Sequence, residues 1–327
     1  NHIKRDSPVM CVIGNPPYAV SSTNKNKWIE DLTADYKKNL IEKSYNSLSD
    51  DYIKFIRYGQ HFIDKNGSGV LAYISNNSFI DGLVHRQMRK HLLESFDKIY
   101  ILDLHGNAKK KEVCEDGSAD QNVFDIMQGV SINIFIKTGQ KKKSELGKVY
   151  QYDLQGKREF KYDFLNDNSL KSLKWNALNY SEPNYFFANK NFEDKAKYEK
   201  GFSTNDLFRI GSSGIKTERD SLVIQFTKSD LKFYTNDLIN SDVEDFRKRH
   251  KLTKDGRDWK LQLAKEDLIK NNPQLIKIHY RPFDTRYTFY TGKTKGFQAY
   301  PRKEVTNNFV KKENFGLIHL RQNNGSK

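Results

Sequence analysis

The chain holds only two cysteines in 327 residues, Cys11 and Cys114, and no Cys-x-x-Cys pair. That argues against a disulfide scaffold and a thiolate zinc site, and makes a reducing cytoplasm the expected compartment. No apolar run approaches the ~20 residues that a membrane-spanning helix needs. The opening stretch, Asn1-His2-Ile3-Lys4-Arg5-Asp6, lacks the apolar core of a secretory leader. There is no internal repeat and no low-complexity tract. Acidic residues are in deficit: 41 Asp and Glu stand against 56 Lys and Arg, a net charge of +15. Such an excess favours a polyanionic partner. Aromatics, at 13%, suit base stacking as well as an ordinary core. The length is enough for two domains of ordinary size.

The most informative stretch comes early. Met10-Cys11-Val12-Ile13 has the length and β-branching of a buried parallel strand. It stops at Gly14, and Asn15-Pro16-Pro17-Tyr18 follows. Glycine lets the chain turn, and two prolines fix φ and remove two N–H donors, so the exit is stiff. In open α/β sheets, ligands bind beyond the carboxyl ends of strands. An exocyclic aromatic amine is a poor nucleophile because its lone pair is delocalised into the ring. Two acceptors on its N–H bonds favour a more pyramidal, more nucleophilic nitrogen. The Asn15 side chain and the Pro16 carbonyl can be those acceptors, and Tyr18 can stack on the base. A positively charged methyl donor above the nitrogen completes an in-line transfer.

This loop resembles the catalytic motif of the amino-methylating DNA methyltransferases of the adenine-N6 type. The segments that follow stand in that family's order: Phe55-Ile56, Gly69 to Ile74, Ile101-Leu102-Asp103-Leu104-His105-Gly106-Asn107, and Asn122 to Ile126 before Ser131 to Ile136. Asp50 to Arg57 and Leu104 to Asn107 are most similar to the large single-chain restriction–modification enzymes of type IIG and type ISP. The resemblance implies S-adenosylmethionine as cofactor, double-stranded DNA as partner and a bacterial cytoplasmic location. It makes Asn15, Pro16, Pro17 and Tyr18 the catalytic set and places Asn15 also at the cofactor. Tyr18 and Phe124 become contacts to a flipped base. The family's glycine-rich cofactor turn is expected upstream of residue 1, so the chain should hold the catalytic half of a Rossmann-like domain and be inactive by itself. Gly211-Ser212-Ser213-Gly214 lies outside the strand–turn–helix setting such a turn needs. No metal site is expected, because the acids between Glu112 and Asp120 lack calcium-loop spacing. Nuclease or helicase modules are expected elsewhere in the same polypeptide.

Elements alternate as a doubly wound sheet would: helices over 28–43, from Asp50, and over 83–96, with strands at 70–74, 99–104 and 131–136. Asp50 is a plausible N-cap, the stretch 21–27 reads as loose and polar, and the charged loop 108–121 as solvated. Gln140 to Ser144 marks the expected boundary, giving a methyltransferase part over 1–139 and a target-recognition domain over 140–327 of α+β type, incomplete at its end. In the second part, 149–152 and 159–162 read as short strands, and 230–250 and 259–270 as helices. The run Tyr280-Arg281-Pro282-Phe283-Asp284-Thr285-Arg286-Tyr287 resembles a recurring element of such recognition domains, as does Gly214 to Asp220. Lys216, Arg219, Arg281, Arg286, Lys293, Lys295 and Arg302 are the candidate DNA contacts: arginine can fork onto guanine edges and lysine can neutralise phosphate. Asp284 can instead pair with Arg281 or Arg286 within the fold. The alternatives are an amino-methyltransferase acting on RNA or protein, an inactive DNA-binding module, and an endonuclease, for which no convincing carboxylate–lysine core is found.

Overall fold

A computed structural model of the chain describes residues 8–19, 21–42, 44–310 and 312–318. The chain divides into two compact units between Glu193 and Asp194. Among the described residues no helix is long and apolar enough to cross a membrane.

In the first unit, six strands form one sheet: β1 (Cys11–Gly14), β2 (Gly69–Asn76), β3 (Lys98–Asp103), β4 (Val130–Lys137), β5 (Lys148–Asp153) and β6 (Asn176–Ala177). Their spatial order is β1-β2-β4-β3-β5-β6. β1 runs parallel to β2, and β3 parallel to β5. β4 lies antiparallel between β2 and β3, so the sheet is mixed rather than uniformly doubly wound. Its register places Asn133 opposite Tyr73 on one side and Ile101 on the other. β1 is an edge strand among the described residues, and Ile13 is 79% and Met10 61% exposed.

Helix α1 (Lys27–Thr33), helix α2 (Asp51–Asn66) and helix α3 (Arg86–Ser95) cover the sheet. α2 buries Ile53, Ile56 and Ile63 at helical spacing. It ends at Gly67, whose φ of 87° closes the C-cap without a Cβ penalty. Asp50 occupies the N-cap position, but its carboxylate makes no cap hydrogen bond and instead accepts from the Ser21 N–H at 2.8 Å. The stretch expected to be loose is thereby fastened to the start of α2. Lys54 adds hydrogen bonds to the Asn24 carbonyl and Glu30, and Arg57 to the Leu32 carbonyl and Asp35. α1 is followed by a tight turn over Ala34–Lys37 instead of continuing as one long helix.

The first unit continues past the boundary expected after residue 139, because β5 pairs with β3 and because Tyr185 and Phe187 enter the same core as Leu71, Phe79 and Phe135. The charged break is a surface connection. Lys141 spans it with bonds to the Glu94 and Glu145 carbonyls. Residues 159–162, expected as a strand, belong to helix α4 (Arg158–Asp167). Arg158, Lys161, Tyr162 and Leu165 share one face of it at i, i+3, i+4 and i+7.

The second unit has helices α5 (Lys228–Asn240), α6 (Val243–Arg249) and α7 (Leu261–Lys270) and a hairpin of β7 (Gln274–Arg281) and β8 (Asp284–Tyr290). The single helix expected over 230–250 is two. Asp242 stops the first and caps the second by accepting from the Glu244 and Asp245 N–H groups. Leu231, Phe246, Trp259, Leu261 and Phe297 form its core. The buried Asp267 is satisfied by Thr291, Asn271 and the Phe297 N–H.

Candidate functional site

The carboxyl ends of β1, β2, β3 and β5 open on one edge of the sheet, and the chemistry-bearing residues gather there. From β1, Gly14 leads into the Asn15–Tyr18 loop. Asn15 is exposed and Pro16 buried. Neither the Asn15 side chain nor the Pro16 carbonyl is taken up by another described residue, so both acceptors are free for a ligand. After the loop the chain is held by Asp51 N–H to the Ala19 carbonyl and by the Ser21–Asp50 bond.

Tyr18 is half-buried among Leu102, Leu104, Val123 and Val130. Its ring centroid lies 6.0 Å from that of Phe124, tilted by 59°. The phenolic oxygen is buried without a hydrogen-bond partner among the described residues. Burial pushes its pKa up to about 12, so it remains a neutral donor at any working pH. The structure thus brings Asn15, Pro16, Tyr18 and Phe124 into one neighbourhood.

Sequence reading left unassigned the roles of the polar groups at the ends of β2, β3 and β5. Asn77, just past β2, donates from Nδ2 to Asp103 Oδ1 at 2.9 Å, and its N–H donates to the Gly129 carbonyl. Asp103 also accepts from the His105 N–H. His105 has φ of 51°, which turns the chain sharply at the end of β3. Its Nε2 lies 2.8 Å from Asp153, and its Nδ1 3.9 Å from Asp103 and 4.0 Å from Glu112. Burial alone would lower its pKa. The hydrogen bonds to Asp153 and Glu112 and the Asp103 charge outweigh that and raise it to about 10. Asp103, His105 and Asp153 offer ligand atoms within 4.8 Å of one another, and His105 is hydrogen-bonded to Asp153 within this cluster.

The raised His105 pKa carries a sign. The folded chain holds this proton more tightly than the unfolded chain, whose histidine titrates near ~6.5. The contribution to stability is therefore complete below ~6.5 and lost as pH rises through about 10. Melting temperature is expected to fall across that window in the native protein. In His105→Asn the fall should be shallower, measured by circular dichroism in matched buffers.

Residues 5–109 match the family described as Eco57I restriction-modification methylase, and residues 206–327 the Type ISP C-terminal specificity domain. The two matches cover separate segments, so the first part of the chain is similar to restriction–modification methylases and the second to Type ISP specificity domains. Solved structures share the fold. The ATP-dependent Type ISP restriction-modification enzyme LlaBIII bound to DNA matches with TM-score 0.61 and 23% identity, over 88% of this chain and 20% of that one. The DrdV–DNA complex matches with TM-score 0.60 and 21% identity, over 88% and 31%. A nuclease-deletion mutant of the Type ISP enzyme LlaGI, in complex with a DNA substrate mimic, gives 0.60 and 22%, over 87% and 25%. This chain therefore spans a fifth to a third of the length of those proteins. No curated protein matches it.

In the second unit the candidate DNA contacts fall into four places. Lys216 and Arg302 both lie over the Tyr300 ring, at 5.6 and 5.1 Å, and Lys216 pairs with Glu218 and Asp258. Arg219 lies over Trp259, and its guanidinium donates to the Glu218 and Lys254 carbonyls. Arg286 sits between the rings of Phe226 and Tyr280, at 3.9 and 4.1 Å, with its fork on Asp284. Its donors are therefore largely committed within the fold, as the Asp284 alternative anticipated. Arg281 lies 5.1 Å from the Tyr280 ring centroid. Lys293 and Lys295 are exposed in the loop after β8. The turn between β7 and β8 presents Phe283 fully exposed at φ of 64°, a conformation unusual for a bulky side chain.

Proposed function

We propose that this chain is the catalytic and target-recognising part of a site-specific DNA adenine-N6 methyltransferase within a restriction–modification polypeptide, using S-adenosylmethionine. The observation that carries the reading is the Asn15–Tyr18 loop at the carboxyl end of β1. It lies inside the segment that matches the methylase family, with its two acceptors free and Tyr18 beside Phe124.

In this reading the adenine leaves the duplex, at a cost of a few kcal/mol. Its amine donates to Asn15 Oδ1 and the Pro16 carbonyl, Pro17 keeps the loop rigid, and Tyr18 and Phe124 enclose the base. Preorganisation contributes more than proton transfer, because the acceptors are already set before the base arrives. S-adenosylmethionine, when bound, supplies an electrophilic methyl group. The described residues fit only the acceptor end of that reaction. No glycine-rich strand–turn–helix lies among them, and the open apolar edge of β1 suits a sheet that continues into the cofactor half. The basic specificity domain would hold the duplex, with phosphate contacts from Lys293 and Lys295 and base contacts from residues such as Arg281. Nuclease and helicase functions would belong to other parts of the polypeptide, in the cytoplasm.

The test is expression of the full-length protein in a methylation-free host, followed by nucleoside mass spectrometry and single-molecule sequencing of the DNA. N6-methyladenine confined to one recurring sequence is expected. Methyl transfer to RNA or protein instead would overturn the substrate. No transfer, with DNA binding retained, would leave a specificity module only.

A further inference from the structure

The loop that carries Phe124 belongs to no strand, yet four successive carbonyls in it are each bonded by a side chain of α4. Lys161 Nζ donates to the Gln121 carbonyl at 2.6 Å, and Arg158 Nε to that of Asn122 at 2.8 Å. Tyr162 donates its hydroxyl to the Val123 carbonyl at 2.5 Å, and Arg158 Nη2 to that of Phe124 at 3.1 Å. Lys161 completes its set with the Leu104 carbonyl at 2.7 Å and Asp120, in an ion pair whose two side chains are wholly buried. Asp120 in turn accepts from the Gly106 and Gly156 N–H groups at 2.6 and 2.7 Å. One buried pair thus ties the exit of β3, the Phe124 loop and the entry to α4. The loop read from sequence as solvated is anchored at Asp120.

We propose that α4, through Arg158, Lys161 and Tyr162, is the positioning element that sets Phe124 against Tyr18 for the flipped base. This rests on the methyltransferase reading. The helix lies outside both segments that match known families. With every carbonyl from 121 to 124 gripped, the loop cannot rotate its peptides without breaking side-chain bonds, so the direction of Phe124 is fixed before the base arrives. The Lys161–Asp120 pair at its centre is wholly buried and hydrogen-bonded, and such a pair rigidifies what it holds. None of the three side chains needs to touch the base. They act through the backbone of Phe124.

The test uses the full-length enzyme and a duplex with 2-aminopurine at the methylated position found by sequencing. Arg158→Met and Tyr162→Phe together should lower kcat about tenfold to a hundredfold and reduce the 2-aminopurine fluorescence gain, with DNA affinity and donor KM changed less than about threefold. Tyr162→Phe alone removes one hydroxyl and preserves the fold if the double variant does not fold. In a Phe124→Ala background the Tyr162→Phe effect should vanish, because both act on one wall. Unchanged kcat and fluorescence in folded variants would overturn the proposal, as would an undiminished Tyr162→Phe effect without Phe124. If the wild-type enzyme neither methylates DNA nor raises the fluorescence, the methyltransferase reading itself fails.

Discussion

Replacing Asn15 with alanine in the full-length enzyme is expected to lower methyl transfer by roughly a hundred- to a thousandfold, the effect of removing one preorganised polar group at a reacting centre. DNA affinity should stay within about threefold, since the change is one exposed side chain in a large charged interface. Stability should move by less than ~0.5 kcal/mol, because Asn15 is exposed and supports no other described residue. Single-turnover transfer of labelled methyl, beside a DNA-binding isotherm and a melting curve, separates these quantities. Asn15→Asp keeps an acceptor oxygen and should fall between the native protein and the alanine variant. Methyl transfer at the native rate in Asn15→Ala would remove the loop from the mechanism.

The second large effect concerns stability. Arg89 on α3 is wholly buried and bonds no carboxylate among the described residues. Its Nε donates to the Asn184 and Tyr185 carbonyls, both at 2.9 Å, and its Nη1 to those of Phe79 and Gly82, at 2.7 and 2.8 Å. Burial lowers its pKa to about 9, with the nearby Asp81 charge working against that. The guanidinium joins the turn after β2 to the chain that brings Tyr185 and Phe187 into the core. Arg89→Ala leaves four carbonyls without this donor as well as a cavity. A loss of ~3–5 kcal/mol is expected, a fall in melting temperature of roughly 6–20 °C for a unit of this size. Lysine should rescue little of it, because a single ammonium cannot span the fork. A melt within about 2 °C of the native protein would show that those carbonyls find other donors.

Both predictions bear on one edge of the sheet, by different routes. In the proposed reading Asn15 would present its acceptor to a ligand, whereas Arg89 holds the turn after β2 to the chain at Asn184 and Tyr185. His105 and Lys161 lie between these roles. Lys161 is a cation buried against Asp120, and the partly buried His105 is hydrogen-bonded to Asp153, both beside the end of β3.

The sequence by itself determined the local parts. Apolar runs of strand length marked β1 through β4, and the run at 149–152 marked β5. Gly67 ended α2 where left-handed backbone was needed. Asn15-Pro16-Pro17-Tyr18 announced a stiff, acceptor-rich loop after a strand, since proline and glycine act on their own backbone whatever surrounds them. Only the tertiary structure decided what depends on distant partners. Nothing in Val130–Lys137 states that it inserts antiparallel between β2 and β3, because pairing is chosen by neighbours far away in sequence. Residues 159–162 read as a short strand, yet they belong to the helix Arg158–Asp167. It is a helix because Lys161 reaches the buried Asp120 carboxylate and Tyr162 the Val123 carbonyl, bonds available only from one helical face. The charged run at 140–144 looked like a boundary, yet the next strand returns to the same sheet. Charge reports exposure, and a surface loop is as exposed as a linker.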